Sequence, residues 1–519
     1  MKKLFSAILA AIFTLTLAAS FVALPSSAAW DGNSVAVSLS GDGSEANPYK
    51  IGTEAELAKV SKDSAGGETF KDKFFVLTAS LDLGKKPWTP IGSSTAPFSG
   101  TFDGAGFEIA GLFIPDDTTL QASGLFGVTT DATIKNLTIV SPDVSSVKYG
   151  GAVIGNMKVT ADNQTLSSVF NCSVSGGKIS APSAGAIVGR ASTKSAGMQM
   201  FISGCSASGT TVTVPDASNT AVTDSNFTNT FIGGIIGVAG QTTVEGCFAE
   251  ECTVIAGGSR ASKYAVAGGI IGCQGADSGG CNVFNCYTVG CTVGVAEGTN
   301  VTSNGIGGVL GEAGHIDLVC SVANCFAIGT KFENKPGVEA CANLIGTVKG
   351  FINFANCWVD AEPSVGADAQ FLGYEAEIAS AADFAAVDAV EKLSLNSGNS
   401  NQVWKDDPAS GHPVIDSFAL EGNTVTPEYF DPFAEETTAA GTPEATTAKE
   451  EVTTAPPAEE TTAAPVEEET TGAPEVIATA PAGEDTTSAS EKKGCKSSAG
   501  LAALVLVALA APAVFRKKD

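Results

Sequence analysis

A glycine-bounded apolar phrase recurs along the middle of the chain and narrows what the chain can fold into. It reads Gly-Leu-Phe-Gly at 124–127, Gly-Gly-Ala-Val-Ile-Gly at 150–155 and Gly-Ala-Ile-Val-Gly at 185–189. Gly-Gly-Ile-Ile-Gly follows at 233–237 and again at 268–272, then Gly-Gly-Val-Leu-Gly at 307–311, and a worn copy, Asn-Leu-Ile-Gly, ends at Gly346. The closing glycines lie 28, 34, 48, 35, 39 and 35 residues apart. A period of that size marks stacked repeats, in which no unit buries its own apolar side and neighbours share one core.

A second signature follows each phrase, its middle residue 9 to 16 positions after the closing glycine. It reads Lys135-Asn136-Leu137, Phe170-Asn171-Cys172, Ser203-Gly204-Cys205, Glu245-Gly246-Cys247, Phe284-Asn285-Cys286, Ala323-Asn324-Cys325 and Ala355-Asn356-Cys357. The unit therefore reads as strand, turn, strand, with loops of variable length. Apolar pairs such as Ile235-Ile236, Ile270-Ile271 and Val309-Leu310 favour strands, and the glycines permit positive φ or close backbone approach at corners. Stacking would align Asn136, Asn171, Asn285, Asn324 and Asn356 at one corner, since asparagine tolerates the left-handed conformation and stacked amides bond from rung to rung. One residue on, Leu137, Cys172, Cys205, Cys247, Cys286, Cys325 and Cys357 would point inward, the thiols acting as small buried hydrophobes. The fold expected is all-β: a parallel β-helix, a solenoid with short capping helices. Seven copies at about 4.8 Å per rung give a core at least ~30 Å long, more if a unit holds two rungs.

Ahead of the first phrase stand Asn47-Pro48-Tyr49-Lys50-Ile51, a helix-like stretch at 53–62, Pro87-Trp88-Thr89-Pro90-Ile91-Gly92 and Phe98-Ser99-Gly100-Thr101-Phe102-Asp103-Gly104. In that order, and with Gly-Leu-Phe-Gly, they resemble bacterial surface proteins carrying GLUG-type repeats, from about Asp42 to Ile415. The resemblance implies a right-handed β-helix on an exported or surface protein, adhesin-like or without an assigned activity.

Six segments are expected. Residues 1–29 read as a signal peptide: Lys2 and Lys3 precede an apolar run, and Ser27-Ala28-Ala29 offers a cleavage site, the alternative being an uncleaved anchor. Residues 30–117 hold the N-terminal cap and first turns, with Thr53 and Glu56 forming a capping box for a short helix over the first rung. The repeats fill 118–360, with insertions near 215–230 and 300–305. Residues 361–424 hold an alanine-rich second cap at 375–395 and a closing strand around Trp404 to Ile415. Residues 425–494 are Thr, Glu, Pro and Ala with few large apolar residues, a disordered stalk. Residues 495–519 form a sorting or membrane tail, an apolar run closed by Arg516-Lys517-Lys518, which fits a C-terminal transmembrane helix with its basic end inside. No Leu-Pro-x-Thr-Gly motif is present; Cys495 is a candidate for tail processing or lipidation, or else is incidental.

The net charge of −27 argues against nucleic acid. About half of it lies between residues 431 and 491, which carry 15 acids against Lys449 alone. Twelve of the 13 cysteines fall in the repeats, and export permits disulfides. Cys252 and Cys291 share one column, Cys281 and Cys320 another; stacked rungs about 4.8 Å apart suit each pair to a disulfide, or to a reduced thiol ladder. The cysteine spacing describes a column, not a metal cluster, and the glycine phrases lack the Lys-Ser/Thr of a phosphate loop, so neither metal nor cofactor is expected. Carboxylates stand mostly singly, as at Asp82, Asp103, Glu245, Glu312 and Asp317, with Glu250-Glu251 the adjacent pair. His315 and His412 have no triad context. The favoured reading is a non-enzymatic surface protein, adhesin-like or a scaffold, with an unknown surface glycan or protein as ligand. Two alternatives stay open: a polysaccharide lyase or hydrolase, and a structural surface-layer component. The enzyme requires several of Asp82, Glu245, Glu250, Asp317 and His315 to meet Arg190 or Arg260 in one groove.

Overall fold

The computed structural model divides the chain into two units, Met1–Thr437 and Thr438–Asp519. It describes residues 29–160, 167–191, 200–215, 228–258, 263–275, 280–299, 301, 303–313, 319–333, 341–342, 344–349, 351–355, 357–359, 404–405 and 412–415, all in the first unit. The signal peptide, most of the insertion near 215–230, the alanine-rich cap, the stalk and the membrane tail lie outside the described residues, as do Arg260, His315, Asp317, Asn356 and Cys495. Among the described residues no helix is long and apolar enough to cross a membrane.

Each repeat unit is one coil of five short strands, not the strand-turn-strand expected. One coil runs Thr133–Lys135, Thr138–Val140, Asp143–Ser145, Tyr149–Gly150 and Ile154–Lys158. The next runs Ser167–Phe170, Ser173–Ser175, Lys178–Ser180, Ser183–Gly185 and Val188–Ala191. Strands in equivalent places pair in parallel from coil to coil and make five sheets of 10, 9, 7, 7 and 7 strands. We number them one to five in the order the chain meets them. The architecture is a parallel β-helix, and the ten strands of sheet one span roughly 43 Å at about 4.8 Å each.

Short strands suffice because each contributes one inward residue per coil. In sheet three Val144, Ile179, Val212, Val254 and Val293 are register partners and all are fully buried. β-branched side chains suit such a column because their shapes repeat and their rotamers are few. Phenylalanines fill the first coils: Phe75, Phe98, Phe102 and Phe126 pack ring on ring, with centroids 4.9 to 6.5 Å apart.

Two left-handed corners set the bends between sheets one, two and three. At the first, Asn136, Asn171, Asn285 and Asn324 have φ of 54, 47, 54 and 54°, and Gly204 and Gly246 fill the same column at 62 and 59°. The expected amide ladder forms there. Asn171 Nδ2 donates to Asn136 Oδ1 (3.1 Å) and Asn324 Nδ2 to Asn285 Oδ1 (3.3 Å). Its ends are closed by Asp103 and Glu245, which accept from Asn136 (3.0 Å) and Asn285 (3.4 Å). Five residues on, Ser141, Gly176, Gly209, Glu251, Gly290 and Gly329 repeat the left-handed conformation.

Next to the first corner lies the thiol column. Leu137, Cys172, Cys205, Cys247, Cys286 and Cys325 are fully buried in the core. Each thiol points at a backbone carbonyl one coil back: Cys247 at Ile202 (3.5 Å), Cys286 at Val244 (3.6 Å), Cys325 at Val283 (3.5 Å). Sulfur thus fills a small apolar space and makes a weak hydrogen bond that an aliphatic side chain would not.

The helix Glu54–Ala65 (α1) closes the N-terminal end and runs one turn beyond the expected stretch. Its capping box is complete: Glu56 N–H donates to Thr53 Oγ1 (3.3 Å) and Thr53 N–H to Glu56 Oε2 (3.0 Å). Leu57 and Val60 are buried beneath it, and Ser61 Oγ donates to Thr89 O (2.6 Å). Near the other end, Trp404–Lys405 and Val414–Ile415 pair antiparallel, not as a further rung of the coil. This pair lies against the side of sheet two, where Phe248, Tyr287 and Phe326 stack with centroids 4.8 Å apart. Trp404 packs 6.0 and 5.5 Å from Tyr287 and Phe326. His412 lies 5.6 Å from Tyr287, so this histidine serves packing.

Candidate functional site

Sheets four and five meet at the glycine phrase, and there the coil bends inward. The glycines are required by close approach. A Cβ on Gly268 would lie 1.9 Å from the Ile271 carbonyl oxygen, one on Gly269 1.9 Å from that of Gly308, and one on Gly272 2.6 Å from that of Gly237. Side chains on the outer faces of the two sheets consequently face each other. Val266 of sheet four lies over Gly311 of sheet five, where an added Cβ would meet its Cγ1 at 2.7 Å. The outward column of sheet five runs through Val128, Asn156, Arg190, Val238, Cys273 and Glu312. Most of it is buried, with Cys273 5% and Glu312 7% exposed. The two sheets therefore form a cleft parallel to the coil axis.

Aromatic and cationic side chains line its mouth. Arg190 Nη1 donates to the Tyr149 hydroxyl (2.6 Å) and its guanidinium lies 5.3 Å from the Tyr149 ring centre. Lys148 lies 5.1 Å from the same ring. Three coils further on, Lys263 and Lys349 stand 5.1 and 4.3 Å from the Tyr264 ring, and Lys349 is paired with the Glu312 carboxylate. Cation–π contact of this kind fixes long basic side chains that would otherwise sweep through solvent. Cys273 Sγ lies 3.7 Å from Glu312 Oε1. Burial, and next the Glu312 charge, push that thiol well above its usual range.

Connection lengths single out the same place. From the Thr133–Lys135 coil onward sheets one and two are joined by two residues, as at 136–137 and 246–247, and so are sheets two and three, as at 141–142 and 251–252; in the first coils the links between sheets one and two are longer, at 78–80 and 104–107. The connections entering sheet four vary, from 181–182 to 214–228, and so do those leaving sheet five, from 240–241 to 159–166. The uneven period of the repeat thus arises at the two margins of the cleft.

Among the described residues, the acids named as catalytic candidates do not converge. Asp82 ends a sheet-two strand of the first coils, Glu245 ends a sheet-one strand and Glu250 a sheet-two strand, whereas Arg190 is on sheet five. Asp82 accepts from the Gly84 N–H (2.8 Å), Glu245 from the Asn285 amide (3.4 Å) and Glu250 from the Tyr287 hydroxyl (3.1 Å). Asp103 pairs with Lys135 (3.3 Å). Burial raises the Glu245 carboxyl, opposed by the bond from Asn285. Among the described residues no group of three or more His, Cys, Asp or Glu could hold a metal ion.

Both predicted cysteine pairs stack. Cys281 and Cys320 are register partners, and Cys252 and Cys291 immediately precede the partners Thr253 and Thr292. All four are free thiols in the structure. Burial holds Cys172, Cys247, Cys286 and Cys357 well above the usual thiol range. For Cys320 the hydrogen bond with Cys281 comes first and burial second.

Sequence reasoning missed the cleft. A signal was present: the same dipeptide occurs at Lys148-Tyr149, directly before one glycine phrase, and at Lys263-Tyr264, three residues short of another.

No family model matches the chain. A Gly-rich membrane protein of Evansella cellulosilytica, provisionally so named, is 34% identical over 131 residues, covering 24% of this chain and 15% of its own length. Halomucin of Haloquadratum walsbyi is 27% identical over 164 residues, covering 28% of this chain and 2% of its own. The chain therefore spans a small part of either relative. Among solved structures, one described provisionally as an immunoglobulin A1 protease from Bacteroides ovatus aligns over 73% of this chain and 94% of that one, at 18% identity and a TM-score of 0.41.

Proposed function

We propose that the chain is a non-enzymatic, adhesin-like protein of a bacterial cell surface, a right-handed β-helix presented on an acidic stalk. One observation carries this reading: the longest and most variable connections gather along both margins of a single cleft, while from the Thr133–Lys135 coil onward the two left-handed corners are held at two residues. Recognition surfaces are built this way, from changeable loops on a rigid scaffold. The names of the two partial relatives, a membrane protein and a halomucin, favour the same compartment. In this reading residues 1–29 direct export, 425–494 hold the coil away from the cell, and 495–519 anchor it, with Cys495 where the tail is processed or lipidated. The partner is a surface glycan or protein, and neither metal nor cofactor takes part.

Protease treatment of intact cells tests the placement. Peptides from residues 30–421 should be released without lysis, and a strain lacking the protein should lose attachment on a glycan and matrix-protein array. Coil peptides recovered only from lysed cells would remove the basis of the proposal.

A further inference from the structure

The outward column of sheet two changes character along the coil. Ile139, Val174, Ala207 and Ala249 point into the core and are buried, so their neighbours Thr138, Ser173, Ser206 and Phe248 face away from it. Register carries that outward column on to Tyr287 and Phe326. Hydroxyls thus occupy three successive coils, with Thr138 and Ser173 bonded to each other (2.8 Å), and stacked aromatic rings occupy the next three. Tyr287 and Phe326 are 1% and 0% exposed although they point outward. The switch falls where the antiparallel pair of Trp404–Lys405 and Val414–Ile415 sits. Trp404, itself 1% exposed, lies against both rings, and its indole N–H donates to Asn285 Oδ1 (3.2 Å). His412 lies 5.6 and 6.0 Å from the same two rings, and Pro413 is buried.

We infer that this antiparallel pair is a clasp: it takes a pull arriving from the C-terminal side and keeps the coil from unwinding at its last rung. The inference deepens the proposed surface role and rests on it, because an anchor at 495–519 is what makes such a pull. Three observations carry it. Along the chain, a pull from the C-terminal side meets Ile415 before it meets Val359, the last described residue of the coil. Ile415 pairs with Trp404, so the pull passes straight to the indole anchor. The pair also grips the coil inside its end: Trp404 reaches the Tyr287 and Phe326 coils, whereas the last strand of sheet two is Trp358–Val359, one coil further on. Between Val359 and Trp404 stand 44 residues, enough to span up to about 150 Å, so a pull held at Trp404 need not reach the last rung. A coil inside a solenoid has a neighbour on each side and a coil at its end has one, so an unclasped end opens rung by rung. A pull on Ile415 is instead met by two ring contacts, the indole bond and the packing of His412 acting together.

The purified full chain is held at its two ends and pulled, as the native protein and as Trp404→Ala. The native chain should yield first in one step that releases residues 360–415, roughly 200 Å at about 3.5 Å per residue, and lose coils only afterwards. Trp404→Ala should lose coils without that step and at a lower force. Hydrogen exchange reads the same clasp with no force applied. In the native chain the amides of Phe351–Ala355 should exchange at least about tenfold faster than those of Val319–Ala323 and Phe326–Ile328. In Trp404→Ala the latter two should lose at least about 100-fold in protection, while Thr133–Lys135 and Thr138–Val140 keep theirs. Should Trp404→Ala fail to fold, Trp404→Phe, which keeps a ring and loses the indole bond, takes its place, with a loss of about tenfold expected at Val319–Ala323. The inference is overturned by a native chain that sheds coils before the long step, by unchanged protection at Val319–Ala323, or by an equal loss at Thr133–Lys135. Release from intact cells is read separately, so release preserved with no clasp step rejects the clasp alone.

Discussion

Two kinds of glycine in this chain should respond differently to one methyl group, and the difference follows from where that methyl would go. In Gly269→Ala the new Cβ would stand 1.9 Å from the Gly308 carbonyl oxygen of the next coil. An ordinary carbon–oxygen contact needs about 3.3 Å, so two coils must part by roughly 1.4 Å. Three inter-coil bonds cross this point: Gly269 N–H to Gly307 O (3.1 Å), Ile270 N–H to Val309 O (2.8 Å) and Ile271 N–H to Val309 O (3.0 Å). A separation of that size takes all three out of range. At about 1 kcal/mol net each, and more where a buried group is left unpaired, the loss is ~3–6 kcal/mol. Gly290→Ala is the matched control. Its φ is +63° and the nearest foreign atom to a new Cβ is Glu251 Cγ at 3.8 Å, so only the left-handed strain of ~1–2 kcal/mol applies. Guanidinium unfolding of the full chain followed by circular dichroism gives both values as midpoint shift times slope. Hydrogen exchange at the Ile270 and Ile271 amides should show local opening in Gly269→Ala alone. Equal effects, or a larger loss from Gly290→Ala, would refute close packing as the reason for the phrase.

Asn285 joins two columns, since its Oδ1 accepts from both Asn324 (3.3 Å) and the buried Trp404 indole (3.2 Å). Asn285→Ala should cost ~3–4 kcal/mol from unpaired donors and left-handed strain, and Asn285→Gly should recover about 1 of that in the same unfolding assay. Stability should also depend on pH in one direction. Thiols whose folded pKa is raised, as at Cys172, Cys247 and Cys286, contribute fully below the unfolded thiol value of about 8.5 and lose that contribution as pH rises towards the folded values. The midpoint should therefore be flat from about pH 6 to 8 and fall above pH 8.5; a rise there would contradict the buried thiol column. In the native chain, iodoacetamide should leave Cys252, Cys281, Cys291 and Cys320 unmodified, and unfolding without reductant should expose all four to alkylation. A deficit of two hydrogens per pair in the intact mass would show disulfides instead.

What could be read from the residues was whatever recurs at a fixed offset. The Asn-Cys step revealed a corner and an inward column because the connection there never changes length, so Asn136, Asn171, Asn285 and Asn324 keep their phase. The number of strands per coil was not legible for the complementary reason. Strands of two or three residues, such as Tyr149–Gly150, are too short for alternation to declare them, and the corner at Ser141 or Glu251 shares no residue type with its glycine counterparts. The cleft was hidden because its members come from different coils and different sheets: Arg190 and Tyr149 meet through the fold, with 41 positions between them. The pairing of Trp404–Lys405 with Val414–Ile415 was visible as strands, but its antiparallel sense and its seat on sheet two depend on the aromatic stack, which periodicity does not report.

The two classes of connection predict opposite tolerance to a change of length. The link between Thr213 and Asn229 sits at the cleft margin, and a link at the same place one coil earlier manages with Ala181 and Pro182. Shortening 214–228 to such a two-residue link changes loop-closure entropy by about 2 kcal/mol at most by the logarithmic rule and gives up the Thr228 carbonyl, which accepts from the Lys263 and Tyr264 N–H groups (3.0 and 3.1 Å). Inserting two residues between Gly204 and Cys205 alters the chain by far less. Yet it displaces a left-handed corner, removes Cys205 from a column in which it is fully buried, and breaks register at three bonds: Asn171 N–H to Ser203 O (2.9 Å), Gly204 N–H to Glu245 O (2.9 Å) and Ser206 N–H to Cys172 O (3.0 Å). Those bonds alone amount to ~3 kcal/mol, and lost burial adds to it. The smaller change should therefore be the more damaging, with unfolding midpoints ordered native, loop-shortened, corner-inserted. If both variants unfold together, the five-sheet coil has no privileged margin, and the case for recognition at the cleft loses the observation it stands on.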